Sequence, residues 1–152
     1  MKTFESLDAL VAAKGEVLGT SSWVEITQDA VNLFADATGD HQWIHVDVEK
    51  AKAGPFGGTI AHGFMTLSLI PRLMHEMYTV NGIKLAINYG LNKVRFPSPV
   101  PVGSKVRATS TLVDSEDVGN NTVQLTVSTV IEIEGGSKPA CVAESVLRYI
   151  GG

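Results

Sequence analysis

The sequence predicts an α+β domain in which a curved antiparallel sheet wraps around a long central helix. Three observations carry that prediction. The apolar period is mostly helical up to about residue 80 and changes to two after Lys84. The most apolar helical stretch, opening at His62, stands just before four alternating runs. The chain has 152 residues, 44% hydrophobic and 18% charged, which bounds it to one domain, 1–152, with a real core.

The elements follow in order. Phe4, Leu7, Leu10 and Val11 recur at helical spacing, and Trp23-Val24-Glu25-Ile26 reads as a short strand. Thr27 is placed to cap a helix with Asp29 in its first turn. Ala30, Val31, Phe34 and Ala37 form the apolar stripe of that helix, which stops near Gly39. Asp47 caps a short helix ending near Gly54-Pro55. From His62, "HGFMTLSLIPRLMHEMYTV" reads as one long helix, with Phe64, Leu67 and Met74 spaced for burial. Pro71 removes a backbone donor, so a kink is expected there. Met65, Met74 and Met77 read as core packing.

The second half alternates. Val123, Leu125, Val127, Ile131 and Ile133 share one face of a strand, with polar residues mainly opposite. "KVRATSTLV" alternates as well, and Gly119-Asn120-Asn121 makes a turn between the two. "ACVAESVLRYI" is a final strand, and Pro97 to Gly103 a rigid connection into the third-from-last one. No repeat, linker or low-complexity segment interrupts the chain. A lone sheet wrapped on a helix leaves an edge and an apolar flank, so a dimer is expected.

Composition narrows the function. A net charge of −4 gives no basic footprint for nucleic acid or an anionic membrane. No apolar run reaches the roughly 18 residues that span a bilayer. The first residues, Met1-Lys2-Thr3-Phe4-Glu5, lack the apolar core of a secretion signal. Cys141 is the lone cysteine, which fits a reducing cytoplasm and a buried strand position better than a nucleophile.

"ATGDHQWIH" and the residues after it place two histidines and two carboxylates among bulky apolar side chains. Asp40 and His45 are separated by a loop short enough to bring both to one cavity, where they can share a water as an acid–base pair. The alternative is that Asp40 caps a turn and His45 is a satisfied core histidine. A metal site is a third reading, because His41 and His45 stand at i, i+4. It is opposed by the alternation of Ile44 to Val48, which looks extended, and by the lack of a Glu after His41.

In "GTIAHGF", a glycine-rich loop runs into the helix at His62-Gly63. Free N–H groups at a helix start can hold a developing oxyanion, and Gly63 would let a ligand oxygen approach the backbone. The alternative is that these glycines only shape a turn. Ser68 lacks the surroundings of a nucleophile elbow. Lys93 and Arg95 read as solvated strand charges, with phosphate contact the less favoured reading.

"FADATGDHQWIH", "GPFGGTIAHGFMTLSL" and "VRFPSPVPVGSKVR" together resemble the MaoC-like dehydratases, over nearly the whole chain. Within that family the likeness is to the single-domain (R)-specific enoyl-CoA hydratases of mycobacterial type and the nodulation-protein-N-like group. The family pattern is an Asp, four residues, a His, then His-Gly opening the central helix; here these are Asp40, His45 and His62-Gly63. The resemblance implies a hot-dog fold, usually dimeric, with each site at the subunit interface. It implies reversible addition of water to a trans-2-enoyl thioester of coenzyme A or acyl carrier protein, with no metal or redox cofactor. Asp40 and His45 would be catalytic. Gly63 and His62 would hold the thioester oxygen, and Ile44 and Trp43 would keep the site dry. The chain departs from the pattern at Gln42-Trp43, where the family often has Asn-Pro, and at Pro71, where some relatives carry a supporting Ser. Other outcomes are an acyl-CoA thioesterase on the same fold or a non-catalytic acyl-thioester binding subunit.

Overall fold

A computed structural model describes all residues, 1–152. The chain runs β1 (Lys2–Phe4), α1 (Leu7–Ala12), β2 (Val17–Thr20), β3 (Val24–Glu25), α2 (Gln28–Thr38), α3 (Trp43–Val46) and α4 (Val48–Lys52). It continues through α5 (Gly63–Ser68), α6 (Ile70–Met74), β4 (Tyr78–Val80), β5 (Ile83–Arg95), β6 (Lys105–Gly119), β7 (Thr122–Ile133) and β8 (Cys141–Gly151). The main sheet has the order β2-β6-β7-β8-β5, with β3 added on β6, and all its pairs are antiparallel. A small parallel pair, β1 with β4, completes the fold.

Alternation decides the packing of the sheet. On β7, Val123, Leu125, Val127 and Ile131 are buried, as their period of two requires. Val106, Ala108 and Leu112 of β6 and Cys141, Ala143 and Leu147 of β8 join them in one core with Met65, Ile70, Leu73, Met74 and Met77. Asn120 and Asn121 both have positive φ, 54° and 55°, as a two-residue hairpin turn that follows the sheet's twist demands. No helix is long and apolar enough to cross a membrane.

The helical half departs from expectation in several places. Phe4 lies in β1, not in the first helix, and β2 was not foreseen. Both strands are short, and β2 breaks register between Val17 and Gly19, so neither carries a readable alternation. In α2, Val31 is buried as expected, but the second buried residue is Ala35 and Ala37 is exposed. The long central helix is two pieces: the helix stops at Leu69 and resumes at Ile70 with Pro71 in its first turn. Pro71 has no N–H for the Leu67 carbonyl and its ring crowds that carbonyl, so the break falls at Leu69, two residues ahead of the proline. The helix also ends at Met74, because Tyr78, Thr79 and Val80 alternate buried, exposed, buried and pair with β1. Phe64 is 70% exposed, and the buried face is that of Met65, Ile70, Leu73 and Met74.

Two outcomes follow from this core. Leu125 is fully buried at the sheet centre, so Leu125→Ala is expected to lower unfolding free energy by about 2–5 kcal/mol in urea titration. Burial pushes the Cys141 thiol up to about 11. Since the thiolate is the reactive form, native protein at pH 8 should leave an aromatic disulfide reagent unreacted. Denatured protein should release one equivalent.

Candidate active site

The site begins where α2 ends. Thr27 caps that helix by accepting from Ala30 N at 3.1 Å. Gly39 closes it in the left-handed conformation, φ 78°, with its N–H on Ala35 O at 2.8 Å. The left-handed residue turns the chain sharply, and Asp40 follows it directly. The Asp40 carboxylate is exposed and accepts from Gln42 N at 3.3 Å.

His45 sits in α3, a single helical turn. The extended segment expected over Ile44 to Val48 is therefore not formed. His45 N bonds Gln42 O and Asp47 N bonds Trp43 O, both at 3.0 Å, and these local bonds outweigh a short apolar alternation. The ring is buried, 6% exposed. Its Nδ1 lies 2.7 Å from Ile60 O. A carbonyl can only accept, so Nδ1 carries the proton and the neutral ring keeps its lone pair on Nε2.

His62 is buried beside it. The two imidazoles stack with centroids 3.9 Å apart and planes 24° from parallel. His62 Nε2–H donates to the Asp40 carbonyl at 2.9 Å, and Phe34 packs on its other side at 4.9 Å. One side-chain donor atom from each of Asp40, His45 and His62 lies within 4.8 Å of the others. Gly63 then opens α5. The first amide bonded back within the turn is Thr66 N, on His62 O at 3.1 Å, so the Gly63 N–H has no intrahelical acceptor. A cavity of about 340 Å³ is lined by His45, Gly63, Ile60, Thr66, Phe56 and Phe96 among others.

Residues 10–134 match the family model described as "MaoC like domain". The chain is 74% identical to 3-hydroxyacyl-thioester dehydratase Z of Mycobacterium tuberculosis, over 99% of both chains. The chain belongs to the MaoC-like dehydratase family. It is also 44% identical to nodulation protein N of Rhizobium meliloti, over 91% of this chain and 87% of that one. A solved structure, the (R)-hydratase from A. caviae involved in PHA biosynthesis, superposes with a TM-score of 0.72 at 25% identity. That likeness covers 88% of this chain and 94% of that one. The fold is the hot-dog fold that the resemblance implied.

In this MaoC-like chain the other residues singled out from sequence fall outside the cluster. His41 is exposed and pairs with Asp36 at 2.8 Å; that contact raises its pKa and turns it away from His45, so no i, i+4 pair forms. The Trp43 ring lies against Gly54, where an added Cβ would come within 3.0 Å, and Lys50 Nζ sits 4.8 Å from the ring centroid. Ile44 takes part through its carbonyl, which accepts from Ile60 N at 3.0 Å. Neither Trp43 nor Ile44 lines the cavity. Ser68 is exposed and spends its hydroxyl on Phe64 O at 2.7 Å. Lys93 and Arg95 are exposed on β5.

Three contributors were not foreseen. Phe96 packs over Gly63, whose added Cβ would stand 3.1 Å from the ring. Gln28 and Thr59 bond each other at 2.6 Å, and Gln28 also donates to His45 O at 2.8 Å. Gln28 reads in sequence as an ordinary first-turn helix residue, and only the tertiary fold brings the Thr59 loop to it.

The histidine geometry has a spectroscopic signature. Long-range ¹H–¹⁵N correlation spectra at a pH where His45 is neutral should show the Nδ1–H tautomer. The Nε2–H form would contradict the bond to Ile60.

Proposed function

We propose that this dehydratase adds water reversibly to a trans-2-enoyl thioester, giving the (R)-3-hydroxyacyl thioester, with Asp40 and His45 as its acid–base pair. The observation that carries the reading is the bond of His45 Nδ1–H to Ile60 O, which leaves Nε2 bare on a ring that lines the same cavity as Gly63 and has a nitrogen within 4.8 Å of the Asp40 carboxylate. The name of the 74%-identical relative, a 3-hydroxyacyl-thioester dehydratase, supports the substrate class.

Addition requires a hydroxyl on C3, a proton on C2 and stabilisation of charge on the thioester oxygen. Nε2 of His45 takes a proton from the water as its oxygen bonds C3. Asp40 holds the same water from the other side and helps deliver a proton to C2. Over the cycle one water is consumed and both residues return to their starting states. The proton that His45 takes from the water and the one that reaches C2 balance across the pair. The Gly63 N–H faces the enolate-like oxygen, with Phe96 and Phe56 excluding water from that wall.

The chemistry calls for no metal or redox cofactor, and the stacked rings make a poor chelate. An imidazole binds metal in its own plane at about 2.0–2.1 Å. Planes 24° apart, with centroids separated by 3.9 Å, converge far beyond that reach. Coenzyme A or acyl carrier protein enters only as part of the substrate.

The reading extends to assembly. β5 is an edge strand of 13 residues whose other side pairs with nothing, and Leu85, Ile87, Tyr89 and Leu91 stand 41–57% exposed on it. A second copy joined along this edge would cover them. Light scattering at micromolar concentration should give twice the 16.2 kDa chain mass; the monomer mass would contradict a homodimer.

The decisive test is purified protein with enoyl-CoA substrates of graded length, followed by loss of enoyl absorbance and chiral analysis of the product. Asp40→Asn and His45→Gln should each lower kcat/KM by about 10²–10⁴. The double variant should be scarcely slower than either single one, because the pair acts as a unit. Gly63→Val keeps the N–H but blocks close approach to it, and should lower turnover by about 10²–10³, the factor seen on losing one oxyanion donor. Near-normal hydration by a folded Asp40→Asn or His45→Gln would overturn the assignment. Thiol release with the enoyl absorbance intact would mark a thioesterase instead.

A further inference from the structure

We infer that Gln28 is a positioning residue for His45. This rests on the acid–base reading above and adds the device that aims the base. Gln28 opens α2, and its amide uses three hydrogen bonds. The Nε2 donates to His45 O at 2.8 Å and to Asn32 Oδ1 at 2.9 Å. The Oε1 accepts from Thr59 Oγ1 at 2.6 Å. The orientation of the amide is fixed, because the His45 carbonyl can face only an N–H donor.

These bonds close a circuit. Thr59 is covalently joined to Ile60, whose carbonyl takes the His45 ring proton at 2.7 Å. Gln28 therefore holds both the backbone that carries the His45 ring and the residue beside the carbonyl that orients it. Ile60 N on Ile44 O adds a third tie between the same two segments. Without Gln28, a one-turn helix of four residues and a glycine-rich loop would have to keep their separation through that tie and the ring bond alone. Thr59 is itself buried and Gln28 partly so, so water is a poor substitute for the lost partners. Small errors in placing a catalytic group cost rate more than binding, since substrate affinity comes from the whole cavity.

The test is a double-mutant cycle on the full chain with crotonyl-CoA, with melting curves alongside. Gln28→Met keeps length and removes all three bonds. Gln28→Glu keeps the acceptor for Thr59 and removes the N–H for His45 O. Both should lower kcat about 10- to 100-fold with KM changed less than about twofold. Thr59→Val should give a smaller kcat loss of the same kind. In a His45→Gln background, Gln28→Met should slow the residual rate by less than about twofold, because there is no base left to aim. A folded Gln28→Met or Gln28→Glu with wild-type kcat would overturn the role. So would a kcat loss that is undiminished in the His45→Gln background, which would show that Gln28 acts elsewhere. If His45→Gln itself keeps the wild-type rate, the acid–base reading fails first and the role of Gln28 fails with it.

Discussion

The site depends on one hydrogen bond, from His45 Nδ1 to the carbonyl of Ile60 at 2.7 Å. It selects the tautomer, turns the ring and leaves the lone pair of that ring on Nε2. Remove it, and a buried imidazole beside a second imidazole has no preferred face. The bond is strong because both ends are out of water and neither can rotate away. Ile60 is gripped by the sheet side of the molecule: it bridges Pro101, while its neighbours bond Val100 O and accept from Val102 N. The carbonyl that orients the His45 ring is thus anchored, through the Pro97–Gly103 connection, to the strand that opens at Lys105.

The rest of the fold can be read as support for that arrangement. The central helix delivers His62 and Gly63 at its start, and its buried face holds them against the sheet. Left-handed Gly39 ends α2 so that the Asp40 carbonyl meets His62 while the exposed Asp40 carboxylate stays within 4.8 Å of a nitrogen of each histidine. The stacked histidines then share one neighbourhood through different bonds: one is oriented by Ile60, the other by Asp40. Each ring has a different carbonyl to hold its proton, which lets two histidines sit at contact distance in fixed orientations.

How legible this was varied with the kind of signal. The long strands read correctly because Val123 to Ile131 alternates over many residues and one face is dry. Thr27, Gly39 and Asp47 read correctly because capping is local chemistry. Spacing offered Asp40 and His45 as a pair only beside the turn-cap and core-histidine reading, and the family resemblance added His62-Gly63; the structure brings Asp40, His45 and His62 together. The failures lie where tertiary contacts override local pattern. α3 is a turn of helix where Ile44 to Val48 looked extended, and β1 and β4 pair across most of the helical half, so neither announces itself alone. Phe64 sits on the face that spacing assigned to the core, yet the helix presents Met65 inward. Trp43 was expected at the cavity and instead covers Gly54. Gln28 was invisible as a functional residue because its partners, His45 and Thr59, are 17 and 31 residues away.

The central claim is that one activated water reaches C3 of an enoyl thioester and leaves the thioester whole. It is tested most directly by turnover of crotonyl-CoA in ¹⁸O-labelled water, with mass spectrometry of the product before equilibrium is reached. The account predicts a single ¹⁸O in the C3 hydroxyl of intact hydroxybutyryl-CoA. Label in a free carboxylate, with coenzyme A released, would contradict it.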